Sequence, residues 1–214
     1  MVLLVTIAAQ RYMVDVGFGR NGPTLPLLLE NNAQEDAIAP GARVRLVRES
    51  LPQSLHPTDN SQKMWIYQHR GPSNKTHHHH PSVAGLEGEE ERMEERENWI
   101  PTYAFTELEF FPQDFEVMKF CASRVRTSFF TYTVVVLKYL VEKDEEGRAV
   151  CVGTVQMLGG QVKRTVGGKS EVVKECRTEG ERVKVLEDVF GIRLSEREKR
   201  GIMGTVAELR GVAS

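Results

Sequence analysis

The most reactive-looking constellation in the 214-residue chain is short: Tyr12-Met13-Val14-Asp15-Val16 followed by Gly17-Phe18-Gly19. A β-type run delivers a carboxylate to its own end, and a glycine–aromatic–glycine loop begins two residues later. Glycines at that density force the chain out of the strand and let backbone approach another group closely. On turn preferences alone, this is an aspartate closing a strand into a glycine turn. The three cysteines, Cys121, Cys151 and Cys176, could supply a nucleophile, but none has a base beside it in sequence. They read as small, soft packing residues. His56 and His69 stand in or beside loops, with no sequence reason to point at Asp15. The tract His77–His80 could bind Zn²⁺ or Ni²⁺. It lies in a Pro- and Glu-rich stretch that cannot preform a ligand geometry, so no metal is expected.

The elements that must position these groups follow from periodicity. Val2–Ile7 and Tyr12–Val16 form a hairpin linked by Ala8-Ala9-Gln10-Arg11, without a strong turn dipeptide. Arg43–Arg48 alternates Val44 and Leu46 with arginines. Lys63–His69 places Trp65 and Tyr67 on one face by the two-residue period. Residues 70–98, with the acidic block Gly88–Glu97, form a solvated insertion too poor in apolar side chains to offset its ordering entropy. Trp99 to Phe111 is β-type. Pro112 suits a first helical turn, and Phe115, Met118 and Ala122 give the helix a stripe. Thr131–Val141 is the strongest strand signal, and shorter strands follow at Ala149–Met157, Gln161–Val166 and Glu171–Glu175, joined by Gly159-Gly160 and Gly167-Gly168. Thr178-Glu179-Gly180-Glu181 and Ser195-Glu196-Arg197-Glu198 are capping boxes. The first opens a helix ended by Gly191, and the second a helix expected to run to about Gly211.

This order predicts an α+β fold: an antiparallel β-barrel-like domain over 1–111, then an α/β lid with C-terminal helices over 112–214. A net charge of −2 gives no field that argues for nucleic acid or an anionic membrane surface. No apolar run reaches the roughly 18 residues of a membrane span. An odd number of widely spaced cysteines and no signal-peptide pattern place the protein in the cytoplasm.

The segment Gln10–Gly19 resembles the most diagnostic stretch of the arylamine N-acetyltransferases. Further segments match in order: Asn21-Gly22-Pro23-Thr24 with Pro26-Leu27, the tryptophan of Lys63-Met64-Trp65, and Tyr103-Ala104-Phe105-Thr106. So do Pro112-Gln113-Asp114-Phe115-Glu116-Val117-Met118, Thr127-Ser128-Phe129-Phe130-Thr131, and Phe190-Gly191-Ile192-Arg193-Leu194. The resemblance runs, with gaps, from about residue 2 to 194. It implies that Asp15 is the third member of a Cys-His-Asp triad, a carboxylate that orients a histidine which in turn activates a cysteine thiolate. It implies that Phe18 lines an arylamine pocket and that Thr127 and Ser128 touch coenzyme A. Acetyl-CoA would be the co-substrate, and an arylamine or hydrazine nitrogen the acceptor.

Two departures stand out. The family's Ser-Pro before the coenzyme A segment is Val125-Arg126 here, and the asparagine of the preceding helix is Lys119. Arg126 could pair with a phosphate. The family's histidine would fall immediately before Met1 and its cysteine further back, so Met1 reads as an internal residue of a longer ancestral sequence. The expectation is therefore a truncated triad, inactive alone. The alternative is a non-catalytic protein that binds coenzyme A, an arylamine or a partner such as a full-length relative.

Overall fold

A computed structural model describes residues 1–19, 21–71 and 99–211. The chain divides into two compact units, Met1–Glu107 and Leu108–Ser214. Every strand pairing is antiparallel and helices are few, giving the α+β class expected from the sequence. The histidine tract 77–80, the acidic block 88–97 and nearly all of the insertion expected at 70–98 lie outside the described residues.

The first unit holds two sheets. In one, β1 (Leu3–Ile7), β2 (Gln10–Val14) and β3 (Leu27–Leu28) lie in sequence order. The β1–β2 turn is made by Ala8 and Ala9, at φ 48° and 66°. Two consecutive left-handed residues match the twist of a two-residue hairpin. Alanines are poor residues for it, which is why no turn dipeptide announced it. The second sheet runs β4 (Gln34–Asp36), β5 (Arg43–Glu49), β6 (Met64–Arg70) and β7 (Ile100–Phe105). Period-two alternation works here as expected. Val44, Leu46, Trp65 and Tyr67 all turn inward, where they meet Met13 and Leu27 from the first sheet. Burying six such side chains, each worth roughly 1.5–3 kcal/mol by removal from water, is what joins the two sheets. The β-type run from Trp99 extends only to Phe105, and residues 106–111 carry no regular structure.

The second unit opens with α1 (Pro112–Arg124). Pro112 occupies the first turn, and the Asp114 carboxylate accepts a hydrogen bond from the Phe111 amide at 2.8 Å. A single turn, α2 (Phe129–Tyr132), comes next. Thr131 and Tyr132 were expected to begin the long strand, which instead starts at Val135 as β8 (Val135–Lys143). Hydrogen bonding explains the delay. The Thr131 hydroxyl donates back to the Ser128 carbonyl at 2.7 Å, and the Thr133 amide to Phe129 O at 3.1 Å. Local side-chain bonds of this kind compete with strand formation.

β8 is followed by β9 (Ala149–Leu158), β10 (Gln161–Val166) and β11 (Lys169–Glu175) in a sheet of order β11-β10-β9-β8. Gly159, Gly167 and Gly168 all have positive φ, as the glycine turns demand. The helix α3 (Glu179–Asp188) is capped by Thr178, whose hydroxyl accepts from the Glu181 amide at 3.3 Å. It packs Val185 and Leu186 onto Val155, Met157 and Val162 of the sheet. The last helix is shorter than expected. Ser195 and Glu198 form a complete capping box, but α4 (Glu196–Arg200) ends at Gly201 and turns lead onward.

That onward segment is held by a buried ion pair. Arg182, 1% exposed, bonds Glu179 and donates to Ala207 O at 2.9 Å, while Glu179 accepts from the Leu209 amide at 2.7 Å. Cys176 is buried, as a packing cysteine should be, but Cys121 is exposed on α1, so that reading fails for it. Among the described residues, no helix is long and apolar enough to cross a membrane.

Candidate functional site

Asp15 follows directly on β2, whose register against β1 and β3 turns Met13 into the core. The two-residue period carries Asp15 to the same face, where it is only 7% exposed. A carboxylate so buried needs hydrogen bonds. One comes from the loop itself: the Gly17 amide donates to Asp15 Oδ1 at 2.9 Å. The turn thus satisfies part of the carboxylate and directs the chain toward Phe18.

Phe18 is 45% exposed and rests on Tyr103 of β7, with ring centroids 4.9 Å apart and planes tilted by 42°. Tyr103 in turn stacks on Tyr67 of β6 at 5.0 Å and 22°. The three rings form a graded stack, from fully buried Tyr67 to half-exposed Phe18.

Tyr103 also touches the carboxylate. Burial above all, and then the Asp15 side chain, push its phenol far above the ordinary tyrosine range. Despite that proximity, its buried hydroxyl has no well-formed hydrogen bond among the described residues.

The far end of the loop is fixed by β6. The Gly22 amide donates to Gly19 O at 2.9 Å, and a Cβ on Gly22 would lie 3.0 Å from that oxygen. The Tyr67 hydroxyl donates to Asn21 O at 2.8 Å. His69 Nε2 lies 3.4 Å from Asn21 Nδ2, and its Nδ1 lies 2.8 Å from Thr102 Oγ1. Burial lowers the His69 pKa. Sequence reasoning assigned His69 no part in this region. Its place near the end of a β-type run was legible only as strand, whereas its contact with Asn21 bridges 48 positions.

The unit is braced beneath this site by Glu107. Its carboxylate accepts from Trp65 Nε1 at 2.8 Å, Arg11 at 2.7 Å and Arg48 at 2.6 Å, joining β2, β5 and β6. These partners, Trp65 first, hold its pKa below the usual glutamate value.

Thr127 and Ser128 lie in the second unit, in the turn between α1 and α2. Thr127 is exposed, and Ser128 donates its hydroxyl proton to Ala122 O at 2.6 Å. With Thr131 bonded to Ser128 O, two hydroxyls shape this turn where the resemblance would have a proline. Ser128 keeps its lone pairs as acceptors, while the exposed Thr127 and Arg126 remain available as donors. All three cysteines belong to the second unit, so the first unit surrounds Asp15 with no thiol of its own. No group of three or more His, Cys, Asp or Glu suited to a metal occurs among the described residues.

Comparison with known proteins matches the family described as N-acetyltransferase over residues 1–199. The N-malonyltransferase FDB2 of Fusarium pseudograminearum (strain CS3096) is 35% identical over 204 residues, covering 94% of this chain and 53% of that protein. The chain thus spans about half the length of the curated relatives it matches. Among solved structures, the arylamine N-acetyltransferase from Salmonella typhimurium superposes with a TM-score of 0.64 at 20% identity, covering 94% of this chain and 59% of that one. The Mycobacterium marinum arylamine N-acetyltransferase in complex with CoA gives 0.57 at 21% identity, covering 89% and 53%. The structural likeness establishes the fold, and the family match with the 35% relative establishes kinship: the chain belongs to the arylamine N-acetyltransferase family.

Proposed function

We propose that this chain carries the carboxylate and acceptor-ring half of an acyl-CoA:amine N-acyltransferase site. The observation that supports it best is Asp15, buried, held by the Gly17 amide and adjoining a loop that presents Phe18 half-exposed on an aromatic stack. In that role Asp15 accepts from one nitrogen of a histidine, fixing its tautomer so that the other nitrogen takes the proton of a cysteine thiol. The thiolate attacks the coenzyme A thioester, coenzyme A leaves as the thiol, and the amine nitrogen then takes the acyl group from cysteine. Phe18 would receive the arylamine ring, and Thr127, Ser128 and Arg126 would contact coenzyme A.

The first unit holds no cysteine, and we expect no acyl transfer by this chain alone. The alternative is a non-catalytic protein that keeps the coenzyme A or arylamine surface, or that pairs with a full-length relative. The acyl group transferred by the family site is acetyl on the general resemblance. The kinship with N-malonyltransferases favours malonyl for this branch.

Incubating the purified chain with aniline and either acetyl-CoA or malonyl-CoA, with product read by mass spectrometry, tests the reading. No amide should form, while aniline binding should perturb the Phe18 and Tyr103 ring resonances. Turnover abolished by Asp15→Ala would overturn the inactivity. Absence of any aniline contact at Phe18 would overturn the acceptor-site assignment.

A further inference from the structure

The loop that follows Asp15 is tied at its far end to a histidine that the acyl-transfer chemistry does not use. We infer that His69 is a positioning residue for the Gly17–Gly22 loop, holding it through Asn21 only while the imidazole is neutral.

The donors and acceptors fix the tautomer. With the Asn21 amide nitrogen turned to the ring, that nitrogen donates and His69 Nε2, 3.4 Å away, accepts. The ring proton then resides on Nδ1 and points at Thr102 Oγ1, 2.8 Å away. The Thr102 hydroxyl in turn donates to Ile100 O at 3.4 Å. This relay runs in one direction, from the loop through β6 to the first residue of β7. A second proton on the ring would put an Nε2–H against the Asn21 amide hydrogens, and donor would face donor.

The strands on either side set apolar residues against the ring. β5 sets Val44 opposite His69, and β7 sets Ile100 opposite. Tyr67 shares its face on β6, Glu35 of β4 stands beyond Val44 on that face, and Tyr103 on β7 and Asp15 at the head of the loop are further ionisable groups among the described residues. Arg43, Arg45 and Arg70 alternate onto the opposite face. Burial of the ring also favours the neutral form. Because the folded value is lowered, the neutral tie persists down through the ordinary imidazole range. Stability is given up as pH falls from the ordinary imidazole value, where the unfolded chain takes the proton, to the lower folded value.

The loop end bound by His69 is the one whose Gly22 amide closes on Gly19 O, directly behind Phe18. Losing the His69 contact leaves Asn21 held by the Tyr67 hydroxyl on its carbonyl alone, and so loosens the platform on which the aromatic stack ends. The effect on an arylamine rests on the proposed function, whereas the effect on the loop does not.

The test is a pH titration of the ¹⁵N-labelled chain by NMR without ligand, followed by the same series with aniline. The His69 ring is expected as the Nδ1–H tautomer, and the Gly19 and Gly22 amides should move with its midpoint, below the ordinary histidine value. In His69→Gln, which keeps an acceptor but cannot titrate there, that movement should vanish. If His69→Gln does not fold, Thr102→Val serves, since removing the Nδ1 acceptor should displace ring and amide midpoints together. A ring that titrates while both amides stay still would overturn the inference, because the Asn21 amide would then simply have rotated. So would amide movement that survives in His69→Gln. Aniline binding should weaken with the same midpoint. No aniline binding at any pH would instead count against the proposed acceptor site, leaving the loop titration as it stands.

Discussion

Replacing Glu107 tests how the first unit is held beneath its site. One carboxylate receives three donors, and they are not equivalent. Trp65 is 6% exposed, so its indole N–H has little access to water once Glu107 is gone. Leaving a buried donor unsatisfied costs about 1–3 kcal/mol. Arg11 and Arg48 have side chains 46% and 43% exposed, and solvent screens both pairs. Each is therefore worth about 0.2–1 kcal/mol at most. Glu107→Ala should cost about 2–4 kcal/mol in total. Glu107→Gln keeps an acceptor for Trp65 and should cost about 1 kcal/mol.

Both tryptophans of the chain, Trp65 and Trp99, belong to the first unit, so tryptophan fluorescence in a urea titration reports its unfolding. The folded pKa of Glu107 is lowered, so its contribution is complete above the ordinary glutamate value and disappears as pH falls through the folded value. The gap between wild type and Glu107→Gln should close on acidification over that window. Equal losses for the alanine and glutamine variants would refute the ranking of Trp65 above the arginines. A gap indifferent to pH would refute the charge assignment.

Other expectations follow from single contacts. Asp15→Asn removes the negative charge beside Tyr103 and should bring the phenol's titration down toward its ordinary range, followed by alkaline absorbance; an unchanged midpoint would leave burial as the sole cause. Gly153→Ala would drive a Cβ into the Thr165 carbonyl of the adjoining strand, well inside contact distance, and should destabilise the second unit by about 1–3 kcal/mol as read by circular dichroism. Arg182→Met removes the donor to Ala207 O and leaves Glu179, its side chain 22% exposed, with the Leu209 amide alone, so a loss of about 1–3 kcal/mol is expected in chemical denaturation.

Much of this architecture is legible in local sequence, because strands and caps are set by neighbours a few residues apart. The alternation of Val44 and Leu46, the boxes at Thr178 and Ser195, and the glycine turns of the second unit each recur where the pattern puts them. Local reasoning erred where a short-range bond competed. The Thr131 hydroxyl turned the start of a strand into a helical turn. The β1–β2 hairpin stands where it was expected, although its two alanines are residues that such a turn disfavours. Asp15 and Phe18 stood out in the sequence as candidates, since a carboxylate before a glycine loop is a contiguous signal. Their surroundings were not. Tyr103 against Asp15, Tyr67 and His69 on Asn21, and Glu107 beneath Trp65 join positions 46 or more residues apart, or 42 in the last case. No periodicity in a window of one strand encodes such meetings. They arise when β2 and β6 close on a common core, and only the tertiary structure decides which face of each strand arrives there.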